Sequence, residues 1–229
     1  AMSDAPANAR ALILYGIRRS LRRGDISGPA RQAVDDRLVR PPRGPTISRT
    51  ALAPPEKVAL FCHWAEANNA TVARVAAADV ASEVASFLVR SNLPAEVAMA
   101  PSPQLADYDW DGQKMLTIRR GRGEAGDQVS ITGAFAAIAE TGTLVMASGP
   151  EHPVTLNLLP DTHIVVLRER DIVGGYEDVW TLLRQRYGKD RMPRTVNTIT
   201  GPSRTGDIEQ AMELGAHGPR RMHIVVVQE

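Results

Sequence analysis

The sequence predicts an α/β protein, a mostly parallel β-sheet sandwiched by helices and preceded by an N-terminal helical arm. Three observations predict it. From about residue 54 onward, short β-branched and aliphatic runs alternate with stretches of helical periodicity. The last run, residues 222–227, is apolar throughout, as expected of an interior parallel strand covered on both faces. An Arg-rich segment near the start is cut off from the rest by Arg40-Pro41-Pro42-Arg43-Gly44-Pro45, which cannot be helical and reads as a linker.

The elements follow in order. Within residues 7–23, Ala11, Leu12, Ile13, Leu14, Ile17 and Leu21 recur at helical spacing, and Arg10, Arg18, Arg19, Arg22 and Arg23 crowd the same segment. This is an amphipathic helix that Gly24 would end, with a solvated charged face or a face that docks a partner. A second short helix is expected over residues 29–39. The chain thus divides into an arm and linker, residues 1–50, and a main body, residues 51–229. In the body, residues 57–68 and 79–91 read as helices, and residues 70–75 and 96–99 as strands. Residues 101–128 look irregular. Strands are expected at 129–132, 163–167 and 195–200, and a helix at 176–187 ended by Gly188. A further helical pattern opens at Thr205; Gly215 and Gly218 suit its C-terminal cap, and Pro219 prevents its continuation.

Bulk properties exclude several classes. With 43% hydrophobic and 23% charged residues the composition is that of a soluble globular protein, and with 4% aromatics the core must be built from Ala, Val, Leu and Ile. A net charge of +1 argues against nucleic acid as a partner. Cys62 is the only cysteine, so the chain can form no internal disulfide and cannot ligate an iron–sulfur cluster by itself. No apolar run approaches a membrane span and the start has no signal-peptide core, so a cytoplasmic location is expected. Ala1, ahead of Met2, reads as a cloning remnant.

Two short motifs fail on context. Asp107, Asp109 and Asp111 precede Gly112 like the start of a calcium loop, but Ile118 stands where the bidentate Glu belongs. Gly121, Gly123 and Gly126 match a dinucleotide fingerprint, yet a strand pattern follows where a helix is required. Cys62-His63 sits on a helix, where adjacent side chains diverge, and Cys62 reads as an ordinary, partly buried residue. No metal site is expected.

Two stretches remain. Glu140 is the only ionisable group between Asp127 and Glu151, so its carboxylate must line a cleft, be paired, or be protonated. It is a candidate base or nucleophile, or an acceptor for the amides of Thr141, Gly142 and Thr143. His152 could face it across the site. The second stretch is residues 198–209, read as a strand, a Gly201-Pro202 turn and a helix N-terminus. Unpaired N–H groups, the Ser203 and Thr205 hydroxyls and the Arg204 fork could hold an anion there, or Ser203 or Thr205 could simply cap the helix.

Glu140-Thr141-Gly142-Thr143, residues 199–209 and Gly215-Ala216-His217-Gly218-Pro219 together resemble the LUD-domain family, in its lactate utilization protein C branch. The resemblance runs from about residue 55 to the end and is strongest from residue 129; where the family usually has Ala, this chain has Gly206. It implies a fold like the NagB/RpiA/CoA-transferase group. It further implies a role beside lactate utilization proteins A and B in oxidising L-lactate to pyruvate, with iron–sulfur clusters carried by partner subunits and no cofactor in this chain. On this reading Thr141, Gly142, Thr143, Gly201, Ser203, Arg204 and Thr205 bind a small anionic ligand, and Glu140 and His217 are candidates for proton transfer. The alternative is a stand-alone isomerase or acyl/CoA-transfer enzyme using Glu140.

Overall fold

A computed structural model describes residues 8–45, 47–188, 191–206 and 212–228. By its internal contacts the chain forms two units, Ala1–Gly44 and Pro45–Glu229.

The first unit holds helices α1, Ala9–Ser20, and α2, Gly28–Val39. The Asn8 side chain caps α1 by accepting from the Ala11 N–H at 2.9 Å, satisfying one of the orphan donors of the first turn. Neither helix contains a buried residue. The chain leaves α1 four residues before Gly24, and Arg22 rather than the glycine takes the left-handed backbone, at φ 51°.

The second unit opens with a 3₁₀ turn, Ser48–Thr50, and helix α3, Pro54–Ala67. Two prolines occupy the start of α3, where their missing N–H costs nothing, and the Glu56 carboxylate accepts from the Ala53 N–H at 2.9 Å. Strand β1, Thr71–Ala76, helix α4, Val80–Arg90, and strand β2, Glu96–Met99, follow. Helix α4 buries Val80, Ala81, Val84, Ala85, Phe87 and Leu88, the stripe its i, i+3, i+4 spacing demands. Next come α5, Pro103–Ala106, β3, Thr117–Arg120, β4, Val129–Gly133, β5, Ala136–Ile138, and β6, Thr143–Ala147. The chain continues through α6, Thr155–Leu158, β7, Thr162–Arg168, β8, Ile172–Val173, α7, Tyr176–Tyr187, and β9, Val196–Ile199. It ends with β10, Arg204–Gly206, β11, Met212–Leu214, and β12, Arg221–Gln228.

The main sheet is parallel throughout, in the order β1-β12-β7-β4-β2-β3. Strand β12 lies inside it, Ile224 pairing Val72 on one side and Val165 on the other, which is why the segment is apolar on both faces. On one face Ile131, Ile164, Val166 and Val225 pack with α4, Leu105 and Leu156. On the other, Val165, Leu167, Ile224 and Val226 pack with Val58, Phe61 and Ala65 of α3 and with Leu144 and Met146. Those last two residues belong to a second, mixed sheet, β8-β5-β6-β9, whose far side is closed by Val179 and Leu183 of α7.

Three expectations need correction. Residues 101–128 are not wholly irregular: they supply α5 and the edge strand β3, whose burial alternates too weakly for a sequence signal. No helix opens at Thr205. Residues 204–206 instead pair antiparallel with residues 212–214, Thr205 opposite Glu213, so the predicted strand–turn–helix junction is a strand–turn–strand. Accordingly Gly215, at φ 85°, follows a strand and caps no helix.

Candidate functional site

The Glu140–Thr143 segment is the turn of the β5–β6 hairpin. Its close is fixed by the Gly142 N–H donating to the Ile138 carbonyl at 3.0 Å. Gly142 has φ 66°, and a Cβ there would stand 2.4 Å from the Ala65 nitrogen of α3, so only glycine lets the turn lie on that helix. Glu140 is paired: Arg49 donates to its Oε1 at 3.1 Å, and its N–H donates to the Gly174 carbonyl at 3.1 Å. The Glu140 side chain is 11% exposed against 63% for Arg49, so the arginine brings compensating charge to an enclosed carboxylate. Past Glu140 runs a chain of hydroxyls. Thr141 Oγ1 lies 2.6 Å from Thr143 Oγ1, which in turn lies 2.7 Å from Thr200 Oγ1 and 3.4 Å from the Tyr176 hydroxyl.

The second stretch builds a groove of about 380 Å³. Gly201, Ser203, Arg204, Thr205 and His217 all line it. Ser203 organises the wall: its N–H donates to the Pro219 carbonyl at 2.8 Å, its carbonyl accepts from the Gly215 N–H at 3.0 Å, and its Oγ accepts from the His217 N–H at 3.4 Å. These bonds occupy the N–H groups of Ser203, Gly215 and His217. The side chains that face a ligand here are the exposed Arg204 and His217 and the half-buried Ser203 and Thr205. The described lining contains no carboxylate.

The predicted residues therefore fall into two neighbouring clusters rather than one cleft. Glu140, Thr141, Gly142 and Thr143 lie outside the groove lining, and the Thr143–Thr200 contact joins the two. Asn68, at the end of α3, joins them a second time. Its Nδ2 donates to the Thr141 carbonyl at 3.2 Å, while its own carbonyl accepts from Arg204 at 2.9 Å. No local sequence signal marks Arg49, Asn68 or Tyr176: each reaches its partner from a distant segment. His152 is not opposite Glu140; it lines a different cavity, with Gln104 and Phe135. Cys62 is half-buried, and burial pushes its thiol pKa up. Among the described residues no group of three His, Cys, Asp or Glu is placed to hold a metal, and no helix is long and apolar enough to cross a membrane.

A parallel sheet backed by a second sheet, with a Thr-rich hairpin turn and a Gly-Pro-Ser-Arg turn meeting at one helix end, defines the class. The LUD domain matches residues 58–227, and the chain belongs to the LUD-domain family. Lactate utilization protein C of Geobacillus thermodenitrificans is 30% identical over 132 residues, 56% of this chain and 53% of that protein. The protein of the same name from Bacillus subtilis is 30% identical over 130 residues, with the same shares. An uncharacterized protein of Neisseria meningitidis is 35% identical over 96 residues, 42% of this chain and 40% of its own length. The chain thus spans about half the length of the curated relatives it matches. The crystal structure of a DUF162 family protein from Deinococcus radiodurans shares the fold, with a TM-score of 0.57 at 24% identity over 77% of this chain and 99% of that one.

Proposed function

We propose that this chain is a lactate utilization protein C-type subunit that supports oxidation of L-lactate to pyruvate beside separate iron–sulfur proteins, and that its groove binds a small anion. The observation that carries the anion reading is the groove lining itself, which brings Arg204 and His217 together without a described carboxylate. Membership of the LUD-domain family and the names of the two lactate utilization relatives support the metabolic role.

Arg204 is the clamp. One of its nitrogens is held by the Asn68 carbonyl, which aims the guanidinium while the rest of the fork faces the groove for a carboxylate. The Ser203 and Thr205 hydroxyls are the secondary donors, and His217, exposed on the same wall, is on this reading the residue that exchanges a proton with a bound hydroxy acid. The enclosed Glu140–Arg49 pair stiffens the hairpin whose Thr143 contacts Thr200, at the groove's edge.

The test combines titration calorimetry of L-lactate and pyruvate with growth on L-lactate of a strain carrying the variant chain. Arg204→Ala is expected to weaken binding about tenfold or more and to slow growth, as loss of a charge-assisted contact should. Unchanged affinity and unchanged growth would sink the groove as the site. An affinity purification from lactate-grown cells addresses the partners: recovery of Cys-rich iron–sulfur proteins is expected, and a chain that elutes alone counts against the subunit role.

A further inference from the structure

The groove leaves unused a second cavity, of about 430 Å³, at the C-terminal edge of the parallel sheet. Its position follows from the topology. Neighbouring strands β2 and β4 send their chains to opposite faces: β2 runs into α5, whose Leu105 packs with α4, whereas β4 runs through Ala134 and Phe135 into the second sheet. Chains that diverge from adjacent parallel strands leave a crevice between them, the place where open α/β sheets hold ligands. Gln104 comes from the β2 exit, Phe135 from the β4 exit, and Arg186 and Tyr187 from the end of α7.

We propose that this cavity is a second binding site, and that its ligand is of the mononucleotide class: a planar polar ring carrying a phosphate. One wall is aromatic. The Phe135 and Tyr187 rings lie with centroids 6.2 Å apart and tilted 35°, a surface for a ring face. The chain has only three Phe and four Tyr, so two of them at one cavity is a concentration the composition does not explain. The edge of the ring meets Gln104. Its amide lies over Gly133, where a Cβ would stand 2.5 Å from Gln104 Oε1, so the last residue of β4 admits that amide by being glycine. Gln104 Nε2 is buried without an acceptor among the described residues, and a ring nitrogen or exocyclic carbonyl, met by a turn of the amide, is the missing partner.

The phosphate falls to Arg186. Arg168 also lines the cavity, but it already donates to Asp107 at 2.7 Å. Arg186 is exposed and makes no ion pair among the described residues, so its fork is available. Glu151 lines the cavity too, a carboxylate that disfavours a simple small anion and suits a ring that presents an N–H donor as well as an anionic tail. The volume points the same way, being in the range of pockets that enclose whole small-molecule ligands.

The experiment is titration calorimetry of the full chain with AMP, NMN and FMN, which share the phosphate and differ in the ring, with inorganic phosphate as a fourth probe. At least one nucleotide is expected to bind, with inorganic phosphate much weaker. Arg186→Ala should weaken that binding about tenfold, equivalent to roughly 1.4 kcal/mol, at an unchanged melting temperature. Gln104→Leu, which removes the amide donor, should change the preference among the three rings. Arg204→Ala, in the other groove, should leave nucleotide binding untouched, so the two sites fail or stand separately. No binding by any of the three nucleotides at about millimolar concentration, or binding that Arg204→Ala abolishes and Arg186→Ala does not, would overturn the proposal.

Discussion

The Asn68 carbonyl accepts a hydrogen bond from the Arg204 guanidinium at 2.9 Å, across 136 positions of sequence. The same residue donates through its side chain to the Trp64 carbonyl at 2.7 Å and to the Thr141 carbonyl at 3.2 Å. A helix C-terminus carries unpaired carbonyls and a partial negative charge, so it is a natural seat for a cation. One helix end thereby sets the position of both turns that the sequence marked.

Asn68→Ala removes the side-chain bonds and leaves the backbone carbonyl in place. We expect a loss of about 1–2 kcal/mol in denaturant unfolding, the worth of a partly buried hydrogen bond and its now unpaired acceptor. Arg204 keeps its anchor, so ligand affinity at the groove should fall less than in Arg204→Ala; calorimetry on the two variants separates the effects.

Gly201 is the sharper test of the close approach. It has φ 70°, and a Cβ there would lie 2.1 Å from the Asn68 carbonyl oxygen. Gly201→Ala should cost about 2 kcal/mol or more, combining backbone strain with a clash against main chain. Gly149→Ala, whose Cβ meets nothing within 4 Å, should stay within about 0.5 kcal/mol of the parent. Equal melting temperatures for the two variants would contradict the packing described.

The Arg49–Glu140 pair should couple weakly. Arg49 is 63% exposed, so solvent screens the interaction, and a double-mutant cycle of Arg49→Ala with Glu140→Gln should return about 0.5–1 kcal/mol. A coupling near zero would mean that Glu140 relies on its backbone contacts alone.

Two buried histidines contribute to the response to acid. Burial pushes His163 down to about 3, with the Thr132 hydroxyl 2.8 Å from its Nε2. His223, stacked on Phe87 at 4.0 Å, is pushed down to about 4, chiefly by burial and partly offset by Glu83. Both remain neutral in the folded chain while the unfolded chain takes up protons below about 6.5, so stability is full above that pH and declines as pH falls toward 4 and then 3. Each contributes a slope of about 1.4 kcal/mol per pH unit inside its window. Unfolding free energies measured between pH 7 and pH 4 should show the decline, and His163→Gln should make it shallower.

Sequence periodicity is enough for five of the six strands of the parallel sheet, the edge strand β3 being the exception. The runs at residues 96–99 and 222–227 and the helix at 176–187 are where hydrophobic spacing and end signals place them, because those elements are specified by their own burial pattern. The β10–β11 ribbon was not legible. Residues 204–206 offer no period of their own, and only their pairing with residues 212–214 makes them a strand. The same holds for β5 of the second sheet, where Ala136 to Ile138 is too short and too small-chained to signal a strand before β6 and β8 flank it.

The sequence by itself thus determined the α/β class, the family-bearing turns and the candidates Glu140, Ser203 and Arg204, since these are carried by residue type and local spacing, while His217 came with the family resemblance. The tertiary structure decided how they are grouped. It set Glu140 beside Arg49, gave Arg204 to Asn68 and sent His152 to a cavity with Gln104 and Phe135. Those pairings join segments that the chain keeps far apart, and only the packing of α3 and of the two sheets brings them within hydrogen-bonding reach.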